Sequence, residues 1–341
     1  MARFYRLLAF LPWSNSARAS TMVVMNDITQ DTPTMRAVSQ DTHGGPEVLK
    51  PVTTARPVPG LGEILVRVHA TSVNPVDVMN RTSGVFVGKA PFVLGYDVSG
   101  TVEAVGPGVT VHKTGDEVFG MLPFPHGHGS YAEYVVAPAR PFVRKPARLD
   151  HVQAAALPMA GLTAWQALVE TAGIGKGSRV LINGAAGGVG HLAIQIAKAR
   201  GAHVVAVAAG SHADFVRELG ADEVIDYTTT GITEATGDLD AVLETIGGDY
   251  PVQAVQVLKP RGVLVSTLPP SLAPAAAAAG ERGVRLAGLF VEADRWSMNE
   301  LAALAADGRL NPVVDATFPL EEVAKAHATK PGHGKNVIVV A

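Results

Sequence analysis

A glycine-rich turn, NGAAGGVG over residues 183–190, constrains the fold of this chain more than any other stretch. The run before it, residues 179–183, predicts a short strand, and residues 189–200 predict a helix. Small residues let a backbone approach a pyrophosphate, and a helix start supplies unpaired N–H groups with a partial positive charge. A turn that merely joins a strand to a helix is the simpler explanation, but it does not account for three glycines in four positions. The turn therefore predicts a dinucleotide-binding site.

Strands and helices alternate through the region around this turn. Further strands are predicted at residues 203–208, 223–225, 241–245 and 263–267, and helices at residues 213–219 and 251–258. Such alternation is typical of a doubly wound parallel sheet with crossover helices.

The flanking regions contain short strands that are broken by glycine and proline. We predict strands at residues 63–69, 98–105, 131–136 and 336–340, and helices at residues 152–172, 298–306 and 320–328. The predicted fold class is α/β, with an inserted Rossmann domain at residues 157–286. A β-rich domain in two pieces, residues 35–156 and 287–341, is predicted to surround it, and we expect residues 1–34 to be a disordered N-terminal extension.

Composition excludes several classes of function. Hydrophobic residues make up 47% of the chain and charged residues 17%, which supports well-buried cores. The net charge of −3 gives no electrostatic basis for a nucleic acid or an anionic membrane as a partner. The chain has no cysteine, so thiolate chemistry and disulfides are excluded. Because the apolar stretch near the N-terminus is interrupted at Pro12 and no run is long enough to span a membrane, we expect a cytoplasmic protein.

The position that selects between NADH and NADPH lies about 20 residues beyond the glycine turn. There the chain has Ser211 and His212, and no acidic residue occurs before Asp214. Both side chains are able to bond a 2′-phosphate, which favours NADPH, although no Arg or Lys is present to hold it. A helix cap and a surface residue are the alternative roles, and NADH stays open as a cofactor.

Several stretches, in order along the chain, resemble the zinc-independent quinone oxidoreductase branch of the medium-chain dehydrogenase/reductase superfamily. The resemblance covers about residues 35–341 and implies a GroES-like catalytic domain around the Rossmann domain. It also implies NADPH-dependent reduction of quinones or α,β-unsaturated carbonyls, and a homodimer. The matching stretches are residues 44–49, 74–77, 91–100, 115–118, 129–134, 161–164, 183–190, 219–222, 225–227 and 334–335.

The resemblance also assigns cofactor contacts to individual residues. It places Thr163 near the nicotinamide and Phe290 near the reactive end of the cofactor. It places Tyr227 beside the adenosine. The turn residues expected at the pyrophosphate are Ala186, Gly187, Gly188 and Val189.

Zinc-dependent members of that superfamily carry a Cys ligand and a Gly-His-Glu segment. This chain has Gly95, Tyr96 and Asp97 at that segment, so a catalytic zinc is not expected. His126 and His128 have a spacing that is able to ligate a metal, but no third ligand is evident and a polar loop is the preferred interpretation.

Hydride addition to a carbonyl acceptor needs donors for the negative charge that develops on oxygen. Asn74 is the best side-chain candidate, although Asn before Pro is also a common turn residue. Tyr96 is a possible proton donor, and Asp77 is expected to hold the loop. The competing functions are a non-catalytic NADPH-binding protein, an alcohol dehydrogenase with a non-thiolate metal site and an enoyl-thioester reductase.

Overall fold

A computed structural model describes residues 33–341, in which two large sheets and a small one are packed into one compact unit. The predicted extension at residues 1–34 therefore lies almost wholly outside the described residues. The strands are β1 Thr34–Gln40, β2 Lys50–Ala55, β3 Glu63–Ser72, β4 Phe92–Val93, β5 Asp97–Val105, β6 Glu117–Met121, β7 Tyr134–Pro138, β8 Val143–Arg144, β9 Arg179–Asn183, β10 His203–Ala208, β11 Glu223–Asp226, β12 Leu239–Glu244, β13 Leu258–Ser266, β14 Arg285–Gly288, β15 Val314–Pro319 and β16 Lys335–Val339.

Five of the α-helices connect successive strands of the parallel sheet along the chain, and the others lie in the flanking parts of the described sequence. The α-helices are α1 Pro75–Ser83, α2 His151–Ala155, α3 Pro158–Trp165, α4 Gly190–Ala199, α5 Ala213–Glu218, α6 Ile232–Ala235, α7 Tyr250–Val257, α8 Ala276–Arg282, α9 Arg295–Ala306 and α10 Val323–Ala328. A π-helical turn, Gln166–Thr171, continues α3.

The parallel sheet has six strands in the order β11-β10-β9-β12-β13-β14. All of its pairings are parallel, as the alternation of strands and helices predicted. The strand order reverses between β9 and β12, and such a switch point is where open α/β sheets bind ligands, at the carboxyl ends of the strands. The glycine-rich turn leaves β9 at this edge.

The second large sheet has seven strands, in the order β15-β16-β3-β5-β6-β8, with β7 also paired to β3. The C-terminal strand β16 pairs antiparallel with β3, so the end of the chain returns to the region formed by its first part. A third sheet, β2-β1-β4, lies beside it. The α/β fold class with a GroES-like region is confirmed, whereas the domain boundaries stay a prediction because residues 33–341 form one compact unit.

Several of the predicted elements have different bounds in the structure. The helix predicted over residues 152–172 is divided into α2, α3 and a π-helical turn, because Pro158 starts a new helix. The strand predicted over residues 131–136 begins only at Tyr134. The strand predicted over residues 263–267 starts earlier, at Leu258.

Other elements were not predicted at all, among them β1, β2, β15 and α1. Their apolar residues do not alternate strictly, and β2 exposes several of its side chains, so the pattern alone carried little signal. Within residues 33–341, no helix combines the length and the apolar character that crossing a membrane requires.

Candidate active site

The glycine-rich turn connects β9 directly to α4. Gly184 has a φ of 74°, a left-handed conformation that glycine adopts without strain. Gly190 begins α4, and a Cβ there would collide with the carbonyl oxygen of Gly184. The helix therefore approaches the strand closely because both positions are glycine.

The turn offers unpaired backbone donors of the kind that a pyrophosphate needs. Across the described residues, the amides of Gly188 and Val189 have no backbone acceptor, and Gly187 is exposed. The buried Glu244 organises the neighbouring loop, since it accepts hydrogen bonds from Asn183 (2.7 Å) and from the amide of Gly247 (2.8 Å). These observations fit a dinucleotide, with phosphate on the amides at the start of α4.

The C-terminal part of the chain holds this turn from the other side. Gly334 donates its amide to the carbonyl of Ala186 at 3.0 Å. His191, fully buried on α4, bonds the carbonyl of Gly187 through Nδ1 (3.0 Å) and accepts from the amide of Val313 through Nε2 (3.1 Å). Burial lowers the pKa of His191 to about 4, so the ring is neutral at pH 7 and carries its proton on Nδ1. This contact joins residues 122 positions apart, so no local sequence pattern predicts it.

A buried cluster of polar side chains lies next to the turn. Lys335 Nζ donates to Asn74 Oδ1 at 2.5 Å and lies 3.3 Å from Asp97 Oδ2. Asn74 Nδ2 donates to the same Asp97 oxygen at 2.7 Å, and so does the hydroxyl of Ser72, at 2.5 Å. All four side chains are nearly inaccessible to water, so each charge depends on its partners. We call Lys335, Asn74 and Asp97 the Lys335 cluster.

Asn74 also forms the N-terminal cap of α1, in a capping box with Asp77. Asp77 accepts from the amide of Asn74 (2.9 Å) and from the amide of Gly95 (3.2 Å), so it holds the loop as expected. Burial raises the pKa of Asp77 to about 7, and the nearby Asp97 adds to the shift.

A chain of buried polar contacts extends from Asp77 across the β-rich region. Tyr131 lies near the carboxyl of Asp77, and its hydroxyl is 3.0 Å from His327 Nε2. Arg81 Nη1 lies 3.4 Å from the other ring nitrogen of His327. Burial lowers the pKa of His327 to about 3, so this ring is neutral. The chain ties α1 to α10 and thereby stabilises the position of Asn74.

Tyr96 is fully buried and is engaged on both sides of its hydroxyl. The hydroxyl accepts from Asn80 Nδ2 at 3.1 Å and donates to the carbonyl of Pro125 at 3.1 Å. Burial also raises its pKa. Proton transfer from Tyr96 to a substrate would require the ring to leave this packing, so the geometry favours a structural role.

Thr163 lies one helical turn inside α3, a helix whose residues are all buried. Its hydroxyl donates to the carbonyl of Met159 at 2.7 Å. The amide of Met159 donates to Asp97 Oδ1 at 2.7 Å, so Asp97 caps α3 from the β-rich region. The start of α3 is thus fixed to the Lys335 cluster.

Three phenylalanines from separate loops meet at the carboxyl edge of the parallel sheet. Phe290 follows β14 and is 57% exposed, and its ring lies 6.1 Å from Phe86 and 6.2 Å from Phe124. The Phe86 and Phe124 rings are 4.9 Å apart, and Tyr96 packs behind Phe124 at 5.6 Å. We call Phe86, Phe124 and Phe290 the aromatic cluster.

The predicted adenosine end is formed where β10 stops. Ser211 is exposed, His212 is partly exposed, and the ring of His333 lies 6.2 Å from that of His212. An acidic residue that the sequence argument missed also reaches this loop. Asp226, at the end of β11, lies beside Gly210, and hydrogen bonds from Thr228 lower its pKa. The loop is therefore not free of negative charge.

Tyr227 follows Asp226 and is 53% exposed, and its amide donates to the carbonyl of Ala208. It thus stands at the same edge as Ser211. The predicted cofactor residues at 186–189, 211–212, 227 and 290 therefore follow the carboxyl ends of strands of the parallel sheet, whereas Thr163 lies in α3, which precedes β9.

The histidine pair of the polar loop does not form a metal centre with other residues. His128 Nδ1 bonds the carbonyl of Val93 at 2.7 Å, and burial lowers the pKa of this ring. In the described part of the chain, no group of three His, Asp or Glu side chains is arranged to hold a metal ion.

Comparisons with known proteins agree with this architecture. Residues 60–147 match the alcohol dehydrogenase GroES-like domain, and residues 219–333 match the family described as zinc-binding dehydrogenase. The mitochondrial NAD(P)H oxidoreductase RTN4IP1 of Mus musculus is 36% identical over 323 residues, which cover 82% of this chain and 81% of that protein. The quinone oxidoreductase of Homo sapiens is 34% identical, with 86% of this chain and 93% of that protein covered.

A solved structure extends the comparison to three dimensions. The quinone oxidoreductase from Coxiella burnetii superposes with a TM-score of 0.84 at 36% identity, and the match covers 91% of this chain and 100% of that chain. The fold and the site together define an NAD(P)H-dependent oxidoreductase. The chain belongs to the quinone oxidoreductase branch of the medium-chain dehydrogenase/reductase superfamily, as its motifs predicted. The predicted cytoplasmic location stays a prediction, because relatives are named mitochondrial or chloroplastic.

Proposed function

We propose that this protein is a zinc-free, NADPH-preferring reductase of quinones or α,β-unsaturated carbonyls. The aromatic cluster is the observation that carries the choice of acceptor. Its rings have no hydroxyl groups, and they line the edge at which the cofactor site opens, so they favour a flat, conjugated and apolar molecule. Phe290 leaves most of its ring available for such a contact.

The bound nicotinamide supplies the hydride, and the residues of this chain position and polarise the acceptor. Asn74 donates one Nδ2 hydrogen to Asp97, and we assign its second Nδ2 hydrogen to the acceptor oxygen. Lys335 holds the amide oxygen of Asn74, which polarises the amide and strengthens its N–H donors. Because the amide is shielded from water, a bond to developing negative charge is worth more there than in solution.

In this mechanism Tyr96 supports the aromatic cluster and the proton comes from solvent. The hydroxyl of Tyr96 keeps Asn80 and the Pro125 loop together, and Asn80 in turn accepts from the amide of Phe86 at 3.1 Å. The hydroquinone anion or the enolate that hydride addition produces takes its proton from water.

The preference for NADPH rests on the polar groups beyond β10. Ser211, His212 and His333 supply donors for a 2′-phosphate, and Asp226 already accepts hydrogen bonds from Thr228. The segment directly after β10, residues 209–212, lacks the acidic residue that typically binds the ribose of NADH.

The experiment that tests the proposal measures oxidation of NADPH and NADH by 1,4-quinones, vinyl ketones, 2-alkenals and a short enoyl thioester. We expect turnover with quinones or enones, faster with NADPH, and no loss of activity in the presence of a chelator. Activity that the chelator abolishes and zinc restores would overturn the zinc-free mechanism. NADPH binding without any oxidation would indicate a non-catalytic protein, and turnover of the thioester alone would indicate an enoyl reductase.

A further inference from the structure

The C-terminal segment contacts the glycine-rich turn at consecutive residues. Gly334 bonds Ala186, and the aliphatic stem of Lys335 lies against Gly188, where an added Cβ would stand 3.2 Å from Lys335 Cγ. The turn that is suited to phosphate is therefore packed against the backbone and stem of one short segment, residues 334–335.

The other end of the Lys335 side chain faces away from the turn. Its ammonium group bonds Asn74 and Asp97, and the side chain is only 4% exposed. Lysine is rarely buried to this degree unless its charge is paired. By contrast, Lys325 on α10 keeps 67% of its side chain in solvent and pairs with Glu322.

The hydrogen bonds to Lys335 and Asp97 hold the side-chain amide of Asn74 in a single orientation. Its oxygen faces the ammonium group and one of its N–H groups faces Asp97, so the second N–H group has a fixed direction. Asp97 also fixes the first turn of α3, in which Thr163 lies. The side chain of Lys335 therefore connects the glycine-rich turn to Asn74 and, through Asp97, to α3.

We propose that Lys335 is a positioning residue that sets the geometry between the phosphate-binding turn and the amide of Asn74. It contacts the turn through its stem and acts on the acceptor only through Asn74. The effect on the reaction rests on the proposed role of Asn74, but the connection between the turn and the amide does not depend on which acceptor is reduced.

The test compares Lys335→Met and Lys335→Arg with the control Lys330→Met, an exposed lysine five residues earlier. Methionine keeps a stem against Gly188 and removes the charge, so we expect the Kd for NADPH to change by less than about threefold. The rate of hydride transfer to 1,4-naphthoquinone, measured in a single turnover, should fall by about 10- to 100-fold, since small misplacements of reacting groups have effects of this size. Arginine should restore part of the rate, and Lys330→Met should leave it unchanged.

A double-mutant cycle separates positioning from a general loss of structure. In an Asn74→Ala background, Lys335→Met should cause little further loss of rate, because both substitutions remove the same donor geometry. Losses that multiply, or a Lys335→Met rate equal to that of the wild type, would overturn the proposal. Lys335→Met with Asp97→Asn is the second variant, since it leaves no unpaired buried charge, and it should fold and bind NADPH while hydride transfer stays slow.

If the wild-type enzyme binds NADPH but reduces no quinone, the proposed acceptor is refuted. The role of Lys335 can then still be tested by NMR. The side-chain amide resonance of Asn74 should shift on addition of NADPH to the wild type and should not shift in Lys335→Met. An equal shift in both proteins would overturn the role of Lys335.

Discussion

The glycine-rich turn and the Lys335 cluster are neighbours that present opposite kinds of surface. The turn at residues 186–189 offers backbone amides and has no side chain larger than that of Val189. The cluster consists of polar side chains from β16, β5 and the start of α1, all nearly inaccessible to water. In the proposed mechanism, this difference predicts that cofactor affinity depends mainly on backbone amides at the turn, whereas the reaction rate depends on side chains in the cluster.

Asn74→Ala, a substitution in the Lys335 cluster, has the largest expected effect. Loss of a donor to developing negative charge should lower kcat/KM by about 10²- to 10³-fold while the Kd for NADPH stays nearly constant. Stopped-flow rates and calorimetry measure the two quantities. The matched control is Asp150→Ala, which removes the cap of α2 without touching the site. Unaltered turnover in Asn74→Ala would remove Asn74 from the mechanism.

Gly188→Leu should produce the converse result on the turn side. The leucine side chain would press on the segment at residues 334–335, where Lys335 Cγ lies 3.2 Å from an added Cβ, and would displace the turn. The Kd for NADPH should therefore rise by about tenfold or more, as tight sites respond to overpacking. The rate at saturating NADPH should change less than the affinity. Gly280→Leu is the control, since nothing lies within contact distance of an added Cβ there. Equal affinity in Gly188→Leu and the wild type would contradict the backbone account of binding.

Asp77, which lies beside the Lys335 cluster, makes the free energy of unfolding depend on pH. Its pKa of about 7 in the folded protein lies above the ordinary value of 3.8, so the native carboxyl keeps a proton that the unfolded chain has released. The stabilisation from this group is therefore complete below about pH 4 and is lost as the pH rises to 7. Urea unfolding at pH 5 and pH 8 should show a larger decline in the free energy of unfolding for the wild type than for Asp77→Asn. Identical declines would exclude Asp77 as the titrating group.

The smallest expected effect concerns the adenosine end, where side chains supplement the backbone. His212→Ala and His333→Ala should each lower the ratio of kcat/KM for NADPH to that for NADH by about threefold, the value of one modest hydrogen bond. Asp226→Asn should move the same ratio in the opposite direction by removing a negative charge near Gly210. A ratio that none of these variants changes would place the 2′-phosphate elsewhere.

The parallel sheet and the turn were predictable from sequence because their signals are local. Residues 179–183 and 203–208 became β9 and β10 without any change of boundary. Their apolar runs and the glycine spacing report on structure within a few residues.

The Lys335 cluster and the aromatic cluster were not predictable as units. Lys335 was noted only as part of a matching stretch, and its contact with Asn74 joins residues 261 positions apart. Phe86, Phe124 and Phe290 come from three loops and show no spacing that would connect them. Asp226 changes the charge of the cofactor loop only because β11 pairs with β10. Long-range pairing of this kind is set by the fold and is not visible in a local pattern.

Amide hydrogen exchange of the turn, followed by NMR with and without saturating NADPH, tests the central claim most directly. If phosphate rests on the backbone at the start of α4, exchange at Gly188 and Val189 slows by about tenfold or more on binding, because a free donor becomes hydrogen-bonded. The amide of Gly280, in the exposed helix α8, should keep its rate. Unchanged exchange at Gly188 and Val189, in a protein shown by calorimetry to be saturated with NADPH, would contradict the account.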